Sequence, residues 1–233
     1  MCGRYSVVID EAKLRKQFTR DLAMPESGMP TNYNVAPTQQ NPVITNKDPN
    51  QLNLFRWGLV PSWAKDLKIG ARMINARREG IESKPSFRKA IREKRCLVLA
   101  DSFYEWQRHK GGKTPLRIQP TDGSLLVMAG IWEQWWPKDG STEEPVFTYS
   151  IITGEPNDEM EPIHNRMPML LQSEDQQAEW LSDETPLDEV LGLLRTPPAG
   201  TLTYYPVSPL VGNVRNNGPE LHERAESSDL NRS

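Results

Sequence analysis

Residues 116–133 read LRIQPTDGSLLVMAGIWE: two apolar-rich runs, Leu116–Gln119 and Leu125–Glu133, divided by the turn signal Thr121-Asp122-Gly123. Neither run carries the three-and-four spacing of an amphipathic helix, so both read as strands. Similar short runs lie upstream at Arg4–Val8, Pro42–Thr45, Leu52–Val60 and Cys96–Ala100, and downstream at Val146–Thr153, Met167–Leu171 and Leu202–Val207. Helix signals are few. Asp10 stands as a cap before Leu14, Phe18 and Leu22, and residues 86–95 place Phe87, Ala90 and Ile91 on one face after Pro85. Ser173 and Gln176 have capping-box spacing, and Thr185-Pro186 reads as a helix start. Thr31–Gln40, rich in Asn and Pro, reads as loop. The expectation is an α+β fold in a single domain over residues 1–215, mostly antiparallel strands, followed by a disordered polar tail over 216–233.

Composition agrees with many strands and shaped loops. The chain has 233 residues with 20 prolines, nearly twice the usual share of about 5%. No apolar run approaches the ~20 residues that span a bilayer, and MCGRYSVVIDEAK has no signal-peptide hydrophobic region. A soluble, cytoplasmic protein without a membrane partner is therefore expected. Two cysteines and three histidines provide neither a disulfide framework nor the usual material of a zinc site, so neither metal nor cofactor is expected. The formal charge of −3 hides a strong polarity. Lys65–Arg95 holds eleven Lys or Arg against four Asp or Glu, whereas Glu133–Glu189 holds two against fifteen. An acidic total thus permits one basic face.

A few residues stand out chemically. Cys2 becomes a free 1,2-aminothiol once Met1 is removed, which is favoured when residue two is small. Its amine condenses with an aldehyde to an imine, and its thiol then closes on the imine carbon to give a five-membered thiazolidine. Glu105, within Phe103-Tyr104-Glu105-Trp106, is a carboxylate wedged between aromatic rings, an environment suited to proton transfer. His164 sits in PIHNRMP, and an imidazole exchanges protons near neutral pH. Asn75 follows Met73-Ile74, and its amide both donates and accepts. Each also has a plain alternative as an incidental cysteine, a strand-end glutamate, a surface histidine or a turn asparagine. Seven tryptophans, several near the basic run, suit base stacking on single-stranded nucleic acid, although most would be core. Cys96, in a strand-like CLVLA run, reads as a small buried hydrophobe.

The ordered set MCGRY, YNVAPT, WGLVPSWAKD, INARRE, FRKAIREKRCLVLADSFYEW, AGIWE and IHNRMP spans residues 2 to about 170. It strongly resembles the SRAP (SOS response-associated peptidase) family of abasic-site processing proteins. The resemblance implies a barrel-like sheet core with a few flanking helices. It implies binding of single-stranded DNA containing an abasic site, and covalent linkage of the mature N-terminal cysteine to the ring-opened sugar through a thiazolidine. It also implies a lyase side activity and a peptidase label tied to removal of Met1. Carried over by motif, Cys2 would be the nucleophile, Asn75 would hold Cys2 and sugar in register, Glu105 would shuttle protons, and His164 would assist sugar ring opening. Arg4, Arg77 and Arg166 would contact phosphates, and Trp106 would line the site. The chain is expected to act as a monomer at damaged DNA. Two other readings stay open on the residues alone: an N-terminal-nucleophile amidohydrolase of the glutaminase type, and a non-covalent single-stranded DNA module.

Overall fold

The computed structural model describes residues 2–138, 140 and 143–226. Among these the chain forms twelve strands and four α-helices. The first half contributes β1 (Tyr5–Val7), β2 (Asn32–Val35), β3 (Gln40–Thr45), β4 (Asp48–Trp57), β5 (Asn75–Arg77) and β6 (Arg95–Ala100). The second contributes β7 (Ser102–His109), β8 (Gly112–Pro120), β9 (Leu126–Trp135), β10 (Val146–Gly154), β11 (Met167–Pro168) and β12 (Leu202–Pro206). The helices are α1 (Glu11–Gln17), α2 (Ala90–Glu93), α3 (Glu174–Leu181) and α4 (Leu187–Gly192).

Five strands close on themselves. β3 pairs with β4 and β6, β6 with β9, β9 with β10, and β10 returns to β4. All these contacts are antiparallel except β10 to β4, so closure leaves the barrel no open edge. Short β5 (parallel) and β11 (antiparallel) attach to β10. A second, wholly antiparallel sheet runs in the order β12-β8-β7-β1-β2. The fold is α+β with a barrel core, as expected.

The turn at 121–123 does not fold its two strands against each other. β8 lies in the second sheet between β7 and β12, and β9 lies in the barrel between β6 and β10. Gly123 supplies the left-handed φ of 71° that redirects the chain, and Asp122 Oδ1 accepts from the Ser124 N–H at 2.9 Å. The unbroken apolar run of β9 reflects burial on both faces. β6 is likewise buried at every position, and its one charged residue, Arg95, is held by four carbonyls. Arg95 donates to the carbonyls of Ile91, Arg92, Trp180 and Ser182 at 2.5–3.1 Å, which offsets the cost of burying a guanidinium.

Local signals map closely onto the helix starts. Asp10 Oδ1 caps α1 by accepting from Lys13 N–H at 2.8 Å, but the helix stops at Gln17 because Phe18 is extended, leaving Leu22 off its face. Ser173 and Gln176 form the full capping box of α3. Pro186, rather than Thr185, is the cap of α4. Of residues 86–95 only Ala90–Glu93 is α-helical, since Arg95 already pairs in β6. The Asn/Pro-rich stretch at 31–40 holds edge strand β2, whose backbone pairs with β1 despite its turn-like composition.

The expected tail boundary at 216 requires correction. Pro219–His222 forms a 3-10 turn, Leu221 is fully buried, and Ala225 N–H donates to Pro206 O at 2.9 Å. Residues 216–226 therefore belong to the domain, and the remainder of the expected tail, 227–233, lies outside the described residues. Composition misled here because a short polar segment can be held by backbone hydrogen bonds and one apolar anchor.

Candidate functional site

The site forms where the second sheet meets the barrel. β1 runs antiparallel to β7 with Tyr5 opposite Phe103 and Ser6 opposite Ser102, and Tyr104 N–H donates to Arg4 O at 2.9 Å. Continuing that register toward the amino terminus carries Gly3 to the level of Glu105 and Cys2 to the level of Trp106. From the barrel side, β5 lies beside β10 with Asn75 opposite Ile151 and Arg77 opposite Thr153. The residue before Asn75 is pinned twice through its carbonyl, by Trp57 Nε1 at 2.9 Å and Ile151 N–H at 3.0 Å. Trp57 also packs edge-on against Tyr5, with ring centroids 4.9 Å apart, tying the Cys2 strand to the Asn75 strand.

Asn75 closes the seam directly, since its Nδ2 donates to the Cys2 carbonyl at 2.7 Å. Its Oδ1 is buried and has no hydrogen-bond partner among the described residues. Cys2 is fully buried, with Sγ 3.8 Å from Arg4 O. Burial pushes the thiol up, and the carboxylate of Glu105 pushes it further in the same direction. The thiol thus keeps its proton at neutral pH and needs a base to become nucleophilic. Glu105, itself buried on β7, stands close enough to act on it electrostatically. Met1 lies outside the described residues.

His164 is half-buried in the loop between β10 and β11. Its Nδ1 accepts from Arg166 N–H at 3.0 Å, so the neutral ring carries its proton on Nε2. Two bonds anchor that loop to the strands bearing the other candidates. Gln107 on β7 donates to Pro162 O at 3.2 Å, and Arg166 Nη2 donates to Thr153 O, opposite Arg77, at 2.5 Å.

The arginines differ from one another. Arg77 is exposed. Arg166 makes a bidentate pair with Glu79, both bonds at 2.8 Å, and its side chain is only 11% exposed. Arg4 Nη1 donates to Asn34 Oδ1 at 2.7 Å and Val211 O at 2.9 Å. The basic run at 65–95 is in part structural: Arg95 is buried, Arg78 binds Leu194 O, and Lys94 pairs with Glu133. Trp106 is half-buried against Tyr104, Val207, Val211 and Leu221. Of the other tryptophans, Trp57, Trp132, Trp135 and Trp180 are core, whereas Trp63 and Trp136 are 56% and 48% exposed. Cys96 is fully buried in β6.

Thr153 escapes sequence reasoning. In the parallel register with β5 it shares a face with Asn75 and Arg77, and its buried Oγ1 has no hydrogen-bond partner among the described residues. Nothing in a strand-like VFTYSIITG run distinguishes it. Among the described residues, no group of three or more His, Cys, Asp or Glu is placed to hold a metal ion.

The SOS response associated peptidase (SRAP) family model matches residues 1–214. The chain belongs to the SRAP family. It is 44% identical over 226 residues to the abasic site processing protein YoqW of Bacillus subtilis, covering 96% of this chain and 99% of that protein. It is 34% identical over 261 residues to the abasic site processing protein HMCES of Gallus gallus, covering 94% of this chain and 76% of that protein. Among solved structures, a crystal structure of a Bacteroides thetaiotaomicron protein superposes with a TM-score of 0.85 at 28% identity, covering 97% of this chain and all of that one. The SRAP match extends through β12 and the turn at 209–212.

Proposed function

We propose that this chain processes abasic sites by covalent capture of the lesion in single-stranded DNA through Cys2. The observation that carries the reading is the bond from Asn75 Nδ2 to the Cys2 carbonyl, which joins the INAR motif to the N-terminal residue beside buried Glu105. The names of relatives that align over nearly the whole chain support the substrate class.

The reaction needs Met1 removed. The Cys2 amine attacks the C1′ aldehyde of the ring-opened deoxyribose, and loss of one water gives an imine. Sulfur then bonds to the imine carbon while the S–H proton passes to nitrogen, so the thiazolidine retains every atom but that water. Because burial keeps the thiol protonated, Glu105 takes the sulfur proton and delivers it to nitrogen, and the same path in reverse reopens the ring. His164, with its proton on Nε2, acts on O4′ as the sugar opens. Asn75 Oδ1 and Thr153 Oγ1, both awaiting donors, receive the amine and the freed sugar hydroxyl. If a base removes the C2′ proton before sulfur closes, the electrons of that C–H bond form the C2′–C3′ double bond as the C3′–O bond breaks and the 3′ phosphate leaves with its bonding pair, which is the lyase side reaction.

Exposed Arg77 contacts phosphate, Arg4 offers the remaining edge of its fork, and Trp106 lines the site. Arg166 is assigned instead to positioning the His164 loop, because Glu79 and Thr153 already bind its two terminal nitrogens.

The test is a denaturing gel and intact mass measurement of Met1-processed protein mixed with an abasic single-stranded oligonucleotide. A heat-stable band at the mass of protein plus DNA minus water is expected, absent for Cys2→Ala and for protein retaining Met1. No band from wild-type protein with a verified free amine refutes the proposal.

A further inference from the structure

The YNVAPT motif contains a side chain that the chemistry above does not use. Asn34 is 1% exposed, and its amide bridges three distant parts of the chain. Its Oδ1 accepts from Arg4 Nη1 at 2.7 Å. Its Nδ2 donates to Asn213 O at 3.0 Å and to Asn216 O at 2.8 Å, so both amide hydrogens are committed. Arg4 Nη1 also donates to Val211 O at 2.9 Å, and Tyr33 N–H donates to Asn217 Oδ1 at 2.7 Å. Residues 211–217 are thereby fastened over the start of the Cys2 strand.

Arg4 is the link to the nucleophile. Its guanidinium is held by Asn34 and Val211, and its carbonyl accepts from Tyr104 N–H at 2.9 Å and lies 3.8 Å from Cys2 Sγ. We propose that Asn34 is a positioning residue, the joint through which the C-terminal segment 211–217 holds Arg4 and so fixes the buried Cys2 nucleophile. The inference deepens the role given to Cys2 and rests on that role only for its DNA readout.

The two buried cysteines provide a test that needs no DNA. Cys2 and Cys96 are both fully buried, but only Cys2 lies on the clasped strand, and Cys96 sits in barrel strand β6. Each reacts with iodoacetamide only after opening, local for Cys2 and of the barrel for Cys96. In full-length native protein, Asn34→Ala should raise the Cys2 alkylation rate about tenfold with Cys96 unchanged, peptide masses reporting each site. Exposed Asn217→Ala, which removes only the acceptor for Tyr33 N–H, should raise Cys2 alkylation about threefold. In the cross-linking assay Asn34→Ala should lower the rate at saturating abasic oligonucleotide about tenfold while the half-saturating concentration moves less than threefold. Parallel acceleration of both cysteines would mark Asn34 as merely structural and overturn the proposal, as would no acceleration of Cys2. If Asn34→Ala does not fold, Asn217→Ala decides by the same ratio. If wild-type protein forms no cross-link, the capture reaction fails while the alkylation ratio still decides the role of Asn34.

Discussion

Replacing Asn75 by alanine separates two roles of one amide. Nδ2 holds the Cys2 carbonyl at 2.7 Å before any substrate arrives, so its loss weakens the resting protein as well as the reacting complex. Oδ1 is buried without a partner among the described residues, and in the proposed reaction it gains one when a donor from the reacting groups approaches. Only the second contribution differs between ground and transition states, so it alone sets the rate. A hydrogen bond between this oxygen and a developing ammonium or sugar hydroxyl is worth about 2 kcal/mol, which corresponds to about a 30-fold slower cross-linking step. The fold should survive, because β5 pairs with β10 through its backbone and the Ile74 carbonyl keeps its donors from Trp57 and Ile151. Single-turnover cross-linking at saturating abasic oligonucleotide, with the amine of the variant verified by mass, measures the effect. The half-saturating concentration should move by less than about threefold, since phosphate contacts and not Asn75 govern affinity. A maximal rate within threefold of wild type would remove Asn75 Oδ1 from the reaction and refute the argument from its unmet acceptor.

Further outcomes follow from other parts of the molecule. Burial raises the protonation range of Cys2, Cys96, Tyr104 and Tyr149, so the folded chain keeps protons that the unfolded chain releases from about pH 9 upward. Stability is then complete below that pH and falls as pH rises, by up to about 1.4 kcal/mol per pH unit for each such group, and melting curves from pH 8 to 10.5 should show the decline. Gly58 has φ +116°, and a Cβ there would lie 2.5 Å from Gly70 O, so Gly58→Ala should cost about 3 kcal/mol in urea unfolding. Ser173→Ala removes one half of the α3 capping box and should cost about 1 kcal/mol in the same measurement. Association with single-stranded DNA should weaken with salt, and Arg77→Ala should lower the log–log slope by about 1; an unchanged slope would remove Arg77 from phosphate contact.

Local rules account for much of what the sequence discloses. Nine of the strands follow from apolar runs, and the Asp10 and Ser173 caps follow from side chains that satisfy backbone donors within three residues. The strands that sequence reading misses owe their pairing to distant partners. β2 is an Asn-rich edge strand recruited by β1, β5 is three residues held against β10, and β7 combines FYEW with a polar half that pairs across to β8. The joining of β8 and β9 by a tight turn gives no hint that the two strands belong to different sheets, because strand propensity carries no information about partners. As candidates, Cys2, Asn75 and Glu105 stand out through motif and chemistry, whereas Thr153 joins them only through register: a threonine in an apolar strand looks like any other strand residue until Arg77 is placed opposite it.

Charge shows the same limit more sharply. A count of eleven basic residues between Lys65 and Arg95 suggests a face for phosphate, yet Arg95 is buried against four carbonyls and Arg78 is bound to Leu194 O. Arg166 resides in the IHNRMP motif as a neighbour of His164, but its terminal nitrogens bind Glu79 and Thr153, which is why it is proposed to position the His164 loop. Arg4 lies between these cases, with one nitrogen held by Asn34 and Val211. A motif can therefore contain a reacting group and the group that holds it in adjacent letters, and sequence alone gives both the same weight. The division follows from hydrogen-bond bookkeeping. The Asn34 amide and the terminal nitrogens of Arg166 are matched to neighbouring segments, whereas among the buried atoms left unmatched on β5 and β10 are Asn75 Oδ1 and Thr153 Oγ1, the two that the proposed reaction would satisfy. In the proposed site, then, β5 and β10 present open acceptors, and the Asn34 clasp and the Arg166 anchor hold the Cys2 segment and the His164 loop beside them.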